Sequence, residues 1–333
     1  MTEMRAFHLV KRPEGLPGDD CFALREQPLP PLEDGQILVS NRWLSVDPYM
    51  RGRMNDRKSY VPPFQLDQPM EGGAIGAVVE CRSPDFKPGD MVSHMLGWRD
   101  IALMPAKAAT RLPETDAPPQ AFLGILGLTG ATAYFGLLNA ASMKQGDIVF
   151  VSGAAGAVGS AAVQIAKLKG ASRVIGSAGG AAKTAWLKEI GCDAAIDYKA
   201  EPDLVAALRA AASKGIDVYF DNVSGDHLSA ALACARPYAR FAECGMIEAY
   251  NDTEPGPGIA NMIMVVGNRI RIQGFIVTDY AAEMARFHQE MGGWVARGQI
   301  RSRETVRDGL EAMPQAFRDL FSGGNIGKML VRL

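Results

Sequence analysis

The 333-residue chain has few of the features that mark secreted, membrane or nucleic-acid-binding proteins. Its net charge is only −2, so no basic field favours nucleic acid or an anionic membrane. Its apolar runs are interrupted well before the roughly 18 residues that a membrane span needs, and its first residues do not resemble a secretory signal. Five scattered cysteines without a close pair are typical of reduced thiols, so we expect a cytoplasmic protein.

Metal-ligand patterns are also scarce in the sequence. The four histidines, His8, His94, His227 and His288, lie far apart. No four cysteines cluster as a structural zinc lobe requires. We therefore expect no metal site, and we interpret the histidines as structural or surface residues.

The first 120 or so residues are rich in proline, glycine and short apolar runs. Strands are predicted at residues 36–40 and 76–80, and a further strand begins at Met91 after the turn at residues 86–90. Short strands with strong turn signals indicate a small β-barrel-like domain.

From near Gln120 the pattern changes to strands that alternate with helices. Strands are predicted at residues 148–152, 173–177, 194–197, 217–220, 241–244 and 271–276, and helices at 158–168, 182–190, 204–212, 227–235 and 281–296. This alternation is typical of an α/β doubly wound parallel sheet, which binds its ligand at the C-terminal ends of its strands. The tail has two short amphipathic helices, predicted at residues 305–310 and 314–320, and a final strand at 328–332.

The strongest local motif is a glycine turn between a strand and a helix. Gly153, Gly156 and Gly159 form a GxxGxxG pattern where residues 148–152 run into the helix at 158–168. Glycines allow a tight turn and a close approach to a pyrophosphate, which the N–H groups and dipole of the helix favour. The context on both sides indicates a dinucleotide site rather than a plain turn.

The next strand indicates which dinucleotide binds. Strand 173–177 runs into Ala178-Gly179-Gly180, without the carboxylate that usually accepts the ribose 2′-hydroxyl of NAD. Lys183 can pair with a 2′-phosphate. After strand 194–197, Tyr198 and Lys199 offer a phenol and a second cation. The pattern therefore favours NADP over NAD.

Several longer segments are similar to one family. They are residues 45–54 (SVDPYMRGRM), 70–80 (MEGGAIGAVVE), 127–138 (GLTGATAYFGLL), 151–167 (VSGAAGAVGSAAVQIAK), 220–228 (FDNVSGDHL), 244–251 (CGMIEAYN), 274–280 (GFIVTDY) and 322–331 (SGGNIGKMLV). The chain resembles the zinc-free medium-chain dehydrogenases/reductases of the leukotriene B4 12-hydroxydehydrogenase / prostaglandin reductase group, with curcumin and alkenal double-bond reductases.

This resemblance implies a homodimer in which each chain has a GroES-like catalytic domain, formed by residues 1–122 and 299–333, and a Rossmann NADP-binding domain, residues 123–298. It also implies NADPH contacts over much of the chain. The residues concerned are Gly153, Ala154, Ala155, Gly156, Lys183, Tyr198, Asn222, Cys244, Gly245, Met246, Ile247, Tyr250, Phe275, Ile276, Val277 and Asn325.

The segments that align with the ligands of zinc alcohol dehydrogenases lack those ligands. The position of the first cysteine falls within residues 44–47 (LSVD), and that of the Gly-His-Glu segment at 70–73 (MEGG). The expected activity is hydride addition to the β-carbon of an α,β-unsaturated ketone or aldehyde, as the resemblance implies.

Negative charge then develops on the carbonyl oxygen of the substrate, which needs a hydrogen-bond donor. Tyr250, just after the fifth strand of the doubly wound sheet, is the first candidate, and an ordinary tyrosine is protonated at neutral pH. Protonation of the α-carbon by Tyr250 or by water stays open. Tyr49 is a second pocket candidate or a packing residue. Arg51 and Arg53 either guide an acidic substrate or, as we expect, form a solvated surface.

Two other functions stay open at this point. A zinc-free NADPH quinone oxidoreductase would keep the same fold and cofactor. A non-catalytic NADPH-binding redox sensor would keep the cofactor residues and lack turnover. Tyr250 and the segment around Tyr49 favour the enone reductase.

Overall fold

The structure is a computed structural model that describes residues 2–333, and the chain forms two compact units. One contains the residues up to Leu123 together with Glu304–Leu333, and the other is the central segment Gly124–Arg303. The chain therefore leaves the first unit once and returns to it at its C-terminal end.

The N-terminal part of the first unit is mainly β-structure. Its elements are β1 (Glu3–Leu9), β2 (Phe22–Pro28), β3 (Gln36–Ser45), α1 (Tyr49–Arg53), β4 (Ala74–Cys81), β5 (Met91–His94), β6 (Ile101–Pro105) and β7 (Thr110–Arg111). β1 and β2 form an antiparallel pair. β3 is the longest strand and pairs with β4 along its length and with β6 through its first half.

The central unit alternates strands and helices. Its elements are α2 (Leu128–Phe135), β8 (Ile148–Val151), α3 (Ala157–Leu168), β9 (Arg173–Ala178), α4 (Ala181–Glu189), β10 (Ala194–Asp197), α5 (Leu204–Ala211), β11 (Ile216–Asp221), α6 (Gly225–Cys234), β12 (Ala235–Glu243), α7 (Ile263–Gly267), β13 (Arg271–Gly274) and α8 (Met284–Ala296). One turn of π-helix, Gly136–Ala140, extends α2.

The six strands of the central unit form one parallel sheet in the order β10-β9-β8-β11-β12-β13. β8 is buried throughout, as the apolar run at residues 148–152 predicts for a strand covered on both faces. Phe150, Tyr219 and Phe241 lie on neighbouring strands and pack in one core cluster with α5 and α6. The predicted doubly wound sheet is confirmed, with β12 beginning six residues before the predicted strand.

The tail returns to the first unit as β14 (Glu304–Asp308), α9 (Met313–Ser322) and β15 (Lys328–Arg332). β15 pairs antiparallel with β3 and parallel with β14, so the seven-stranded sheet of this unit joins the last two strands of the chain to β3–β7 of its N-terminal part. The core beneath it includes Trp98 and Phe317, whose rings meet edge to face at 6.0 Å.

The predicted helix at residues 305–310 is wrong, because this segment is the edge strand β14. The four-residue spacing of Val306 and Leu310 is also typical of the apolar face of a helix, which explains the wrong prediction. Pairing with β15 decides the conformation, together with the side chain of Thr305, whose hydroxyl donates to Ile326 O and accepts from Ile326 N, each at 3.0 Å. Tertiary hydrogen bonds here override a weak local preference.

Short 3-10 turns connect several of these elements. They are Asp19–Cys21, Ala106–Ala108, Pro119–Leu123, Ile247–Ala249, Val277–Glu283 and Leu310–Ala312. Across residues 2–333 no helix combines the length and apolar character that crossing a bilayer requires.

Candidate cofactor and active site

The turn between β8 and α3 depends on glycine at two positions. Gly153 has a φ of +55°, in the left-handed region where a Cβ causes strain. A Cβ on Gly159 would lie 2.4 Å from the carbonyl oxygen of Gly153, so only glycine lets α3 begin this close to the turn. The chain thus passes directly from the end of a buried strand into the start of a helix.

The N-terminus of α3 is available to an anion. Its N-cap is Gly156, and no side chain accepts a hydrogen bond from the first turn of this 12-residue helix. The first N–H groups of a helix lack acceptors within the helix and carry partial positive charge. Ala154 N–H, by contrast, donates to Ser177 O at 2.9 Å, so Ala154 shapes the turn through the sheet.

Two lysines lie together in the corner beyond β9. Lys183 is half-buried on α4, and the side chain of Lys199 covers Gly179, where a Cβ would come within 2.9 Å of it. Burial, and then the charge of Lys199, lowers the pKa of Lys183. In the described part of the chain, Lys183 and Lys199 form no ion pair. The lysines that do are Lys11, Lys167, Lys169 and Lys328. Two neighbouring cations without a carboxylate suit a dianionic phosphate.

The carboxylate nearest to this corner already has other partners. Asp197, the last residue of β10, accepts from Gly180 N at 2.8 Å and from Lys199 N at 3.2 Å. It therefore holds two backbone turns together. Tyr198 beside it is 38% exposed and packs edge-on against the ring of His227 at 5.0 Å. Burial of part of the ring raises the pKa of Tyr198, which keeps its hydroxyl a donor.

The segment after β11 is fixed by hydrogen bonds to the end of β8. Asn222 Nδ2 donates to Ser152 O at 2.7 Å, and Asn222 N donates to Ser152 Oγ at 2.8 Å. Ser152 Oγ in turn donates to Asp221 Oδ1 at 2.8 Å. The predicted cofactor residue Asn222 is therefore held beside the glycine turn.

Tyr250 lies over the loop that follows β12. Its hydroxyl oxygen accepts from Met246 N at 3.3 Å, and a Cβ on Gly245 would be 3.2 Å from this oxygen. Accepting a hydrogen bond leaves the phenol proton for donation to another group. Burial raises the pKa of Tyr250, so the phenol stays protonated at neutral pH.

The last predicted segment of the central unit follows β13. Phe275 packs edge-on against Phe220 at 6.3 Å, while Ile276 and Val277 lead into the 3-10 turn Val277–Glu283. The predicted residues of this unit thus lie just beyond the C-terminal ends of β8 to β13, and the parallel sheet brings those ends to one edge. Ligands of open α/β sheets bind at this edge.

In the first unit, Tyr49 is the first residue of α1. Its hydroxyl is buried and has no hydrogen-bond partner. Burial, and then the negative charge of Asp47, raises the pKa of Tyr49. A buried phenol without a hydrogen-bond partner costs free energy. Tyr49 is therefore a candidate for contact with a ligand that supplies this partner.

A buried ion pair supports this segment. Lys328 Nζ lies 2.8 Å from Asp47 Oδ1 and also donates to Val46 O at 2.8 Å. The two side chains are 5% and 8% exposed, and Ser45 Oγ donates to the other oxygen of Asp47. Asn325, just before β15, donates through Nδ2 to Gly327 O at 2.8 Å. Its Nδ2 thus holds the turn that leads to Lys328.

The expectation of a solvated surface at Arg51 and Arg53 is wrong, because both side chains are buried. Arg51 donates to the carbonyl oxygen of Gly15 at 2.9 Å and to Asn55 Oδ1 at 2.8 Å. Arg53 forms an ion pair with Glu71 at 2.7 Å, and its guanidinium lies 4.1 Å from the ring centre of Phe64. These partners make both arginines structural.

Residues 2–333 contain no group of three or more His, Cys, Asp or Glu side chains placed to hold a metal ion. The acidic residues in the two segments that align with zinc ligands have other roles, since Asp47 binds Lys328 and Glu71 binds Arg53.

The buried carboxyl groups of Asp221 and Glu243 were not among the residues predicted from the sequence. Each is the last residue of its strand, in the sequences IDVYFD and ARPYARFAE. The available signal was an acidic residue directly after a short buried run at the end of each of two adjacent strands.

The sheet order and the glycine turn define a dinucleotide-binding Rossmann fold. Two family models match the chain, one described as the N-terminal domain of oxidoreductase at residues 5–112 and one described as zinc-binding dehydrogenase at residues 157–292. The chain therefore belongs to the medium-chain dehydrogenase/reductase family.

Similar proteins cover the chain almost from end to end. NADPH-dependent curcumin reductase of Escherichia coli (strain K12) is 41% identical, over 99% of this chain and 96% of its own length. Prostaglandin reductase 1 of Mus musculus is 39% identical over the whole of both chains. The crystal structure of CurA from Vibrio vulnificus in complex with NADPH is 39% identical, covers 98% of each chain and superposes with a TM-score of 0.93.

Proposed function

We propose that this chain is an NADPH-dependent reductase of the carbon–carbon double bond in α,β-unsaturated ketones and aldehydes. The observation that carries the proposal is the pair Lys183 and Lys199, two neighbouring cations without a carboxylate partner beside a glycine turn and an uncapped helix. The names of the similar curcumin and prostaglandin reductases support the reaction and the cofactor.

Most of the residues that would hold NADPH come from the ends of the six central strands. The glycine turn and the start of α3 suit the pyrophosphate, and Lys183 with Tyr198 suits the 2′-phosphate. Besides Lys183 and Tyr198, the contacts are assigned to Gly153, Ala154, Ala155, Gly156, Asn222, Cys244, Gly245, Met246, Ile247, Tyr250, Phe275, Ile276, Val277 and Asn325.

We assign the NADP-binding domain to residues 123–298 and the GroES-like catalytic domain to residues 1–122 and 299–333. This division differs by a few residues from that of the compact units, whose second boundary lies after Arg303.

NADPH, when bound, supplies the hydride that reaches the β-carbon of the substrate. Negative charge then develops on the carbonyl oxygen, and Tyr250 stabilises it by donating its phenol proton in a hydrogen bond. A proton from Tyr250 or from water then reaches the α-carbon and gives the saturated carbonyl. The raised pKa of Tyr250 keeps this proton in place at neutral pH. Tyr49, whose buried hydroxyl has no partner, would provide a further contact to the substrate.

The first experiment follows NADPH oxidation by the purified protein with an aryl enone, a long-chain alkenal and a small quinone, each repeated with NADH. We expect turnover of the enone or alkenal to the saturated carbonyl, with a strong preference for NADPH. Turnover of the quinone alone would instead identify a zinc-free quinone oxidoreductase. Tight NADPH binding without turnover of any acceptor would identify a redox sensor.

A homodimer is the proposed assembly. β13 is an edge strand of the central sheet, and the preceding helix α7 exposes Ile263 (75%) and Val266 (74%). An open edge beside exposed apolar side chains favours pairing with a second chain. Light scattering should give the mass of a dimer, and the double variant Ile263→Asp/Val266→Asp should give that of a monomer.

The proposed location is the cytoplasm. The cysteines Cys21, Cys81, Cys192, Cys234 and Cys244 are all free thiols, which suits a reducing compartment.

A further inference from the structure

Two carboxyl groups meet at the C-terminal edge of the central sheet. Asp221 ends β11 and Glu243 ends β12, and the two residues are paired neighbours in the parallel register of these strands. Paired residues of neighbouring strands point to the same face of a sheet. Both side chains therefore lie on the face that carries Tyr219 and Phe241.

Asp221 is fully buried, and its two oxygens have different surroundings. Oδ1 accepts four hydrogen bonds, from Ser152 Oγ at 2.8 Å, Tyr219 OH at 2.7 Å, Val223 N at 2.8 Å and Ser224 N at 2.9 Å. Oδ2 is buried and has no partner. Four donors therefore converge on Oδ1 of Asp221, whereas Oδ2 has none.

The neighbouring carboxyl group is that of Glu243. Both of its carboxyl oxygens are buried without a hydrogen-bond partner. The ion pairs among residues 2–333 include neither Glu243 nor Asp221, so no lysine or arginine neutralises this pair. Two buried negative charges side by side would both lose hydration and repel each other.

The titratable groups around the pair do not supply a positive charge. Tyr219 lies on β11, Cys244 follows β12, and His227 and Glu248 lie on the adjoining helix α6 and the loop beyond β12. Burial lowers the pKa of His227 and raises that of Cys244 to about 12. On the other side, β13 places Gly274 opposite Glu243. Burial, and then the charge of Asp221, raises the pKa of Glu243 to about 8.

We propose that Glu243 keeps its proton at neutral pH and donates it to Oδ2 of Asp221, and that this acid pair positions the loops proposed to bind NADPH. The backbone carries the effect, because Asp221 O accepts from Cys244 N at 2.9 Å and from Gly245 N at 3.1 Å. Asn222 follows Asp221 directly. Glu243 is thus a positioning residue, and the inference rests on the proposed NADPH binding.

Loss of the proton defines the consequence for binding. Above a pH of about 8 the pair becomes two repelling carboxylates, which separates the ends of β11 and β12. It also adds a negative charge where an anionic cofactor is proposed to bind. NADPH affinity should therefore fall in the alkaline range.

The binding test compares the wild type with Glu243→Gln, whose amide still donates to Asp221 and does not titrate. We expect the Kd for NADPH of the wild type to rise roughly tenfold more than that of Glu243→Gln between pH 7 and pH 9. Both proteins share the titration of Lys183, so only the difference reports on Glu243. Glu243→Met, which has no donor, should bind NADPH several-fold more weakly at pH 7, while Gln restores the affinity.

A second test does not need the cofactor. The raised pKa of Glu243 means that the folded state binds an extra proton between the ordinary glutamate pKa and about 8, so rising pH through this window destabilises the wild type. The Tm of Glu243→Gln relative to that of the wild type should therefore increase by roughly 5 °C from pH 5 to pH 8. Glu189→Gln, the same change at an exposed position of α4, should show no such trend.

The two tests separate the inference from the proposed function. Parallel Kd and Tm profiles for the wild type and Glu243→Gln would overturn the acid pair. Failure of the wild type to bind NADPH at pH 6.5 would overturn the proposed cofactor, and the Tm profiles would still test the pair.

Discussion

In the first unit, the buried charges have partners of their own chain. Lys328 binds Asp47, Arg53 binds Glu71, and Arg51 donates to backbone carbonyls. At the strand ends of the central unit the pattern is reversed. Lys183 has no ion-pair partner among residues 2–333, and Glu243 has two buried oxygens without a donor.

The difference separates charges that stabilise the fold from groups that are proposed to meet a ligand, as Lys183 does, or to keep a proton, as Glu243 does. A buried charge without a partner is costly, so a folded chain tolerates it where something else satisfies it. By this criterion the buried pairs of the first unit stabilise the segment around Tyr49, and the groups without a partner in the central unit mark the place where we propose that NADPH binds. Three substitutions test this contrast.

The largest effect on the free energy should come from the buried ion pair of Lys328 and Asp47. Lys328→Met leaves Asp47 buried and without its cation, and we expect a loss of about 3–5 kcal/mol in the free energy of unfolding. The measurement is denaturant unfolding followed by fluorescence. The double variant Lys328→Met/Asp47→Asn should recover part of the loss, because it leaves no unpaired charge. A single variant as stable as the wild type would show that this pair is not structural.

The next effect should come from Tyr250. Tyr250→Phe removes the proposed donor to the carbonyl oxygen, and we expect kcat to fall about 10²- to 10³-fold with an unchanged Tm. Tyr49→Phe is the matched variant in the first unit, and its effect on kcat should be smaller. Equal kcat for Tyr250→Phe and the wild type would remove Tyr250 from the chemistry.

The smallest effect should be one of cofactor selectivity. Lys183→Ala removes a charge-assisted contact to the 2′-phosphate, so the KM for NADPH should rise about 10- to 100-fold while that for NADH stays constant. Lys188→Ala, on the exposed side of the same helix α4, is the control. A parallel rise of both KM values after Lys183→Ala would contradict the assignment.

Much of the central unit follows from sequence pattern. The alternation of buried strands and helices is local, and β10 begins and ends where it is predicted. The tail shows the limit, since β14 is a strand only because β15 and Ile326 provide its hydrogen bonds. The spacing of apolar residues within a segment does not reveal a hydrogen-bonding partner that lies elsewhere in the chain.

The site divides in the same way. The glycine turn and Lys183 could be predicted because each belongs to a short local segment at the end of a strand. Burial of Arg51 and Arg53 was not visible, because it depends on carbonyl groups of residues 13–15 and on Glu71. The pair Asp221 and Glu243 required the register of two strands separated by a helix.

The position of β15 at the end of the chain also affects the order in which the two units fold. β3 is synthesised early, yet the lysine that neutralises Asp47 lies 281 residues further along the chain, on the strand β15 that pairs with β3. The contiguous central unit is complete before that last strand leaves the ribosome. Until then β3 has an open edge and Asp47 lacks its cation, so we expect the first unit to finish folding last. Removal of a few C-terminal residues should therefore leave this unit incomplete.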